Sequence, residues 1–88
     1  MFMSPEKTTM AKTWGVAQFY GMGSMQYLLE SGAWLADRQL FDGAPITLFE
    51  SMAEADAHAS RLPQDGQPHG VQFTVDKQGK VLTARRKN

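Results

Sequence analysis

The 88-residue sequence contains no cysteine, which excludes a disulfide framework and any site in which thiolates hold a metal ion. It also contains no apolar run near the roughly 20 residues that a membrane-spanning helix requires. The N-terminal stretch MFMSPEKTTMAKTW lacks the apolar centre of a secretory signal peptide. We therefore expect a cytoplasmic protein with no membrane partner.

Excess charge of either sign is absent, because the formal net charge is +0. The charges are nevertheless unevenly distributed. Residues 30–65 hold seven acidic side chains against two arginines, and residues 66–88 hold five basic side chains against one aspartate. Such a chain can attract a charged partner locally, but it lacks the basic character of a general polyanion-binding protein.

The length leaves room for one domain and little room for a large internal cavity. Hydrophobic residues make up 42% and charged residues 20% of the chain, a composition typical of globular domains. The first part of the chain is polar and shows no periodicity. We expect a flexible leader over residues 1–12, a single domain over 13–86, and a basic tail end at 87–88.

The domain begins with residues typical of β-strands. The stretch TWGVAQFY, ending at Tyr20, is rich in aromatic and β-branched residues and precedes a glycine-rich break. Residues 24–35 fit either a helix with Ser24 as its cap or two short strands around the turn ESGA, and Gly32 favours the two strands. Residues 46–49, ITLF, are a candidate for a fourth, buried strand.

A single helix is predicted for residues 52–62. Ser51 and Glu54 form a capping box, in which the Ser51 hydroxyl accepts from the Glu54 amide and the Glu54 carboxylate accepts from the Ser51 amide. Pro63 cannot continue the helix and disfavours helical geometry at Leu62. Apolar residues at spacings of three and four form one stripe that can pack on a sheet: Met52, Ala55, Ala59 and Leu62.

Two further strands follow the helix. VQFTV alternates between apolar and polar residues, DKQG supplies a turn with Gly79 in the left-handed conformation, and KVLTAR returns. This hairpin places Val75 opposite Val81 and Phe73 opposite Thr83. The fold class predicted is α+β: an antiparallel sheet of five to six short strands in the order β-β-β-β-α-β-β, with one helix on one face.

Residue types that can perform catalysis are few and match no known catalytic motif. His58 lies one helical turn from Glu54, which allows an acid–base pair, but this spacing is equally typical of a surface pair. His58, Asp65 and His69 do not have the spacing of metal ligands. Gly21 and Gly23 precede glutamine where a dinucleotide fingerprint requires glycine. We expect no catalytic residue, no cofactor and no metal.

Aromatic and methionine side chains cluster near the glycine-rich turn. Methionine and tyrosine form adaptable contact surfaces, and tyrosine and tryptophan are enriched where proteins bind one another. Two tryptophans, two tyrosines and five phenylalanines are more than so small a core can bury, so some are expected to be exposed. The candidate partner-binding residues are Tyr20, Met22, Met25, Tyr27 and Trp34.

The sequence therefore favours a small non-catalytic module that binds another protein or protein complex. Its size and composition are typical of accessory proteins of phages and plasmids that inhibit host enzymes, and a free sheet edge would allow a homodimer. A nucleic-acid-binding module is the alternative, with Trp14 and Tyr20 beside a basic set: Lys77, Lys80, Arg85 and Arg86. A small enzyme using His58 and Glu54 is the second alternative.

Overall fold

The computed structural model describes residues 11–21 and 23–83. Within these residues, three strands precede one α-helix and three follow it, which confirms the α+β class. In chain order the elements are β1 (Trp14–Tyr20), β2 (Ser24–Leu28), β3 (Trp34–Ala36), a 3-10 turn (Asp37–Gln39), α1 (Met52–Ala59), β4 (His69–Gln72), β5 (Thr74–Val75) and β6 (Val81–Leu82). Most of the expected leader and the expected tail end lie outside the described residues.

Four strands form an antiparallel sheet in the order β3-β2-β1-β4, and β5 and β6 form a separate two-stranded sheet. The expected hairpin over residues 24–35 is confirmed, with Leu28 opposite Trp34. Gly32 adopts a left-handed conformation with φ 93°, which glycine reaches without steric cost. In the part of the chain that the structure describes, no helix is long and apolar enough to cross a membrane.

The ladder register assigns the side chains of the four-stranded sheet to two faces, because successive residues of a strand point to opposite sides. Trp14, Val16, Gln18 and Tyr20 of β1 lie on the face that α1 covers, and this face is called the helix side. Gly15, Ala17 and Phe19 lie on the other side. Directly paired residues share a face, so Leu28 and Trp34 join the helix side, and Met25 and Tyr27 join the other.

Of the two hydrogen bonds predicted for the start of α1, one is present and the other has a different donor. Ser51 Oγ accepts from the Glu54 amide at 3.1 Å. The Glu54 carboxylate, however, accepts from the amide of Glu50 at 3.1 Å, one residue earlier than the Ser51 amide predicted. Glu50 adds a second backbone donor to the cap, so the helix start is still held at two points.

The α-helix ends at Ala59, before the Leu62 predicted. Two amides beyond it bond three residues back, Arg61 to His58 and Leu62 to Ala59, as in a 3-10 turn. This tightening follows from Pro63, which disfavours α-helical geometry in the residue before it. The chain therefore still turns as far as Leu62, but in a narrower spiral.

A first apolar cluster joins α1 to the helix side of the sheet. Its buried members are Val16, Leu28, Ala55 and Ala59, and Trp14, Trp34, Phe49 and Leu62 pack against them. A Cβ atom built on Gly70 of β4 would lie 3.1 Å from the Ala55 Cβ, so glycine allows this close approach. Met52, expected in the same stripe, is 50% exposed, and its carbonyl lies over Gly70 of the edge strand.

A second apolar cluster covers the other side of the sheet. Ala44, Ile46 and Val81 are its buried members. The fourth expected strand, residues 46–49, is an extended segment whose ends make isolated bridges, Ile46 to Leu29 and Phe49 to Trp14. The segment thus passes from one cluster to the other, since Ile46 belongs to the second and Phe49 packs against the first.

The expected strand over residues 71–75 is interrupted at Phe73. The Phe73 amide donates to the Thr13 carbonyl at 2.7 Å, which holds this residue beside β1. The strand then leaves the first sheet and pairs with β6, where Val75 lies opposite Val81 as predicted and the ladder ends at Thr74 and Leu82. Gly79 has the predicted left-handed conformation, with φ 85°.

Candidate functional site

The predicted partner-binding residues lie on both sides of the sheet. Tyr20 and Trp34 share the helix side, whereas Met25 and Tyr27 share the other side. Met22 lies outside the described residues. The sheet therefore separates what the sequence presented as one cluster, and only Tyr20 and Trp34 can form a common surface with the end of the helix.

Tyr20 and Trp34 line one concave surface of about 410 Å³, which we call the Tyr20–Trp34 cleft. It lies where the end of β1 meets the loop that follows α1. The residues around it are Gln18, Phe19, Tyr20, Gly21, Trp34, Pro63, Asp65 and Gly66. The strand and the loop come from distant parts of the sequence, so the cleft exists only in the folded chain.

Two hydrogen bonds hold the loop wall of the cleft, one to β1 and one to the end of the helix. The Phe19 amide donates to the Gly66 carbonyl at 2.8 Å, which fastens the loop to β1. A Cβ atom on Gly66 would lie 2.7 Å from the Phe19 carbonyl oxygen, so the close approach requires glycine here. The Gln64 side-chain amide donates to the Ala59 carbonyl at 3.0 Å and so ties the loop to the end of the helix.

Three residues that line the cleft have side chains that can contact a partner: Tyr20, Trp34 and Asp65. Tyr20 is 63% exposed. Trp34 packs against the first cluster, but nothing in the described part of the chain accepts from its indole N–H. Trp34 as a whole is half-buried and lines the cleft. Asp65 is exposed and, within residues 11–21 and 23–83, its carboxylate accepts no hydrogen bond.

On the other side of the sheet, Tyr27 has a structural role. Its hydroxyl donates to Asp37 Oδ1 at 2.6 Å, and its ring meets the Phe73 ring edge-on at a centroid distance of 5.1 Å. Met25 is half-buried. Phe19 is 47% exposed and lies against the His69 ring at 5.7 Å. Alternation along β1 puts Phe19 on this side, away from Tyr20.

The two histidines lie on opposite sides of the sheet. The His58 ring lies tilted against the Phe49 ring with a centroid distance of 5.3 Å. Within the described residues no hydrogen bond joins His58 to Glu54, whose carboxylate holds the helix start. His69 is the first residue of β4 and lies against Phe19 on the side of the sheet away from α1. Among residues 11–21 and 23–83, no three histidine, aspartate or glutamate side chains are grouped so that they could bind a metal.

The predicted basic residues are only partly described. Lys77 and Lys80 line a cleft of about 730 Å³ together with Lys12, and Glu30 and Asp76 line it too. Arg85 and Arg86 lie outside the described residues. Trp14 packs into the first cluster, and Tyr20 is at the far end of β1. Lys77 and Lys80 lie between β5 and β6 of the two-stranded sheet, whereas Trp14 and Tyr20 belong to β1 of the four-stranded sheet.

Sequence reasoning missed three features of the Tyr20–Trp34 cleft: its loop wall, Pro63 and the carboxylate of Asp65. The sequence showed Pro63 only as a helix terminator, and Asp65 only as a loop residue that was considered, and set aside, as a metal ligand. Their placement depends on the bond between Phe19 and Gly66, which no local pattern encodes. Comparison with known proteins finds no matching family model, no similar curated protein and no similar solved structure.

Proposed function

We propose that the chain is a small non-catalytic module that binds another protein through the Tyr20–Trp34 cleft. The observation that supports this most strongly is that an exposed tyrosine ring, a half-buried tryptophan and an exposed aspartate line one concave surface. Tyrosine and tryptophan dominate the energetics of protein interfaces, because their rings bury much apolar area and keep a polar group for a hydrogen bond.

The geometry of the cleft and of the two acid–base candidates favours binding of a partner over catalysis. Glu54 is held by the helix start, and His58 packs on Phe49, so both candidate acid–base groups have structural partners. The loop wall of the cleft is held by one backbone bond and by the Gln64 side chain, which lowers the entropic cost of binding. Such a module acts by covering part of its partner, as an inhibitor or accessory subunit does. A cytoplasmic location and a phage or plasmid origin remain predictions from the sequence.

The test is an affinity capture with three versions of the tagged chain. Wild type, Tyr20→Ala and Phe41→Ala are compared, with and without nuclease. Phe41 is the matched control, because it is 52% exposed and does not line the Tyr20–Trp34 cleft. We expect a stoichiometric, nuclease-resistant protein that Phe41→Ala retains and that Tyr20→Ala loses by about tenfold or more, the effect of an interface hot spot. Equal capture by all three versions would remove the cleft from the proposal.

A second candidate function is nucleic-acid binding, favoured by the three lysines that line one cleft, Lys12, Lys77 and Lys80. Glu30 and Asp76 beside them reduce the attraction for phosphate. Binding of this kind weakens steeply as salt is added, so it is measured with labelled DNA and RNA at several salt concentrations. Wild type and a Lys77→Ala/Lys80→Ala variant are compared. Absence of binding at low salt would eliminate this candidate.

A further inference from the structure

We propose that the Tyr20–Trp34 cleft takes an arginine side chain of the partner protein. This inference rests on the proposed function and specifies the chemistry that the cleft recognises. Three observations support it: the charge of the cleft, the aromatic rings that line it, and the fixed position of its walls.

The charge of the cleft is negative. Asp65 is the one charged residue among those that line it within the described chain. Its carboxylate is unpaired there, so it can accept hydrogen bonds without breaking an internal one. A partner group that carries negative charge would be repelled by Asp65, whereas a cation would gain a charge-assisted hydrogen bond.

The aromatic residues of the cleft favour a cation over a purely apolar side chain. Tyrosine and tryptophan faces attract cations through the ring quadrupole. The exposed Tyr20 ring and the partly buried Trp34 also offer apolar area to an aliphatic stem. Arginine suits this combination better than lysine, because the planar guanidinium stacks on aromatic rings and donates several hydrogen bonds from a rigid fork.

The walls are already in place before a partner arrives. The bond from Phe19 to Gly66 and the bonds from Gln64 to Ala59 and Leu62 hold the loop that carries Asp65. On the helix side, the side-chain amide of Gln18 donates to Gln26 Oε1 at 2.9 Å. This bond restrains Gln18, which lies between Tyr20 and the first cluster. A restrained cleft loses little conformational freedom when a side chain enters.

The experiment is an NMR titration of the full chain with small probes. N-acetyl-arginine amide is the test probe, and N-acetyl-norleucine amide and N-acetyl-glutamate amide are the controls. The signals to follow are the indole N–H of Trp34 and the backbone amides of Gly21 and Gly66. We expect saturable shifts of these signals with the arginine probe, weaker shifts with norleucine, and none with glutamate.

Two variants connect the effect to Asp65. Asp65→Asn should weaken binding of the arginine probe about threefold to fivefold, the size expected for one exposed ion pair. Glu30→Gln is the matched control, since it removes one exposed carboxylate that lines a different cleft, and it should leave binding unchanged. Equal binding of arginine and norleucine probes, or no effect of Asp65→Asn, would overturn the inference.

The outcomes separate this inference from the proposed function. If Tyr20→Ala abolishes capture of the partner while the arginine probe fails to bind, the cleft is a protein contact with a different occupant, and the inference is wrong. If the probe binds while capture does not depend on Tyr20, the cleft recognises a cation but the proposed function is wrong.

Discussion

The amide N–H of Gly70 donates to Asp56 Oδ1 at 2.6 Å, which ties α1 to the edge strand β4. The helix approaches the strand closely at this contact, because a Cβ atom on Gly70 would lie 3.0 Å from the same oxygen. It also gives a partner to a backbone donor of an edge strand. Covering such donors is one way in which proteins prevent edge-to-edge association.

Replacing Asp56 should loosen the helix from the edge strand. Asp56→Ala removes a charge-assisted bond in an exposed setting, so we expect the free energy of unfolding to fall by about 1 to 2 kcal/mol. Asp56→Asn keeps an oxygen at this position and should recover part of the loss. Urea denaturation gives the measurement, with an unchanged slope in denaturant. Equal stability of wild type and Asp56→Ala would show that the bond contributes nothing.

Asp56→Ala also tests self-association through β4. If the Asp56 carboxylate prevents pairing at this edge, removing it exposes the Gly70 N–H. The variant should then associate more strongly at high concentration than wild type. Sedimentation velocity over a range of concentrations is the measurement. A wild-type chain that already dimerises as strongly as the variant would argue against this role for Asp56.

The helix cap should be worth a measurable part of the stability. Ser51→Ala removes the acceptor for the Glu54 amide and should lower the free energy of unfolding by about 1 kcal/mol. Ser60→Ala is the control, because that hydroxyl donates to the Ala57 carbonyl on an exposed surface, and its loss should cost about 0.5 kcal/mol or less. Chemical denaturation of both variants is the measurement. A larger loss of stability for Ser60→Ala than for Ser51→Ala would contradict this role of the cap.

Gly15 should resist replacement because of Phe73. A Cβ atom at Gly15 would lie 2.5 Å from Phe73 Cε2, and the Phe73 ring is held edge-on to Tyr27. Gly15→Ala should therefore destabilise the fold by about 1 to 3 kcal/mol through overpacking. A double-mutant cycle with Phe73→Leu checks the cause, since the smaller side chain should relieve part of the cost. Additive effects of the two changes would rule out this contact.

Tyr20→Ala should leave the fold intact, since the side chain is mostly solvent-exposed. We expect a change in unfolding free energy within about 0.5 kcal/mol, and the same for Phe41→Ala. Thermal and urea unfolding of both variants provide the check. A strongly destabilised Tyr20 variant would mean that loss of partner binding reports on folding and not on the cleft.

Local patterns in the sequence predicted the elements better than their contacts. The hydroxyl of Ser51 and the turn around Gly32 act within a few residues, so spacing and residue type were sufficient. The separation of Tyr20 from Tyr27 depends on the register of the strands, because one residue of shift exchanges the faces. Residues 46–49 were predicted as a strand from their composition, yet only their two ends pair.

The cleft could be predicted only in part. Tyr20 and Trp34 were identified by residue type, since exposed aromatic side chains near turns favour protein contacts. Asp65 was not, because its position beside Tyr20 depends on the long-range bond between Phe19 and Gly66. Met25 and Tyr27 were grouped with Tyr20 because they are near in sequence, which places them at the same end of a hairpin but not on the same side.

Site-specific photo-crosslinking tests the central claim most directly. Benzoylphenylalanine is placed at position 20, or at position 41 as the exposed aromatic control, in cells that express the chain. The account predicts one discrete protein adduct from position 20, a lower yield of that adduct on Asp65→Asn, and no such adduct from position 41. No adduct at position 20, or the same adduct from both positions, would contradict the claim that the Tyr20–Trp34 cleft is the contact site.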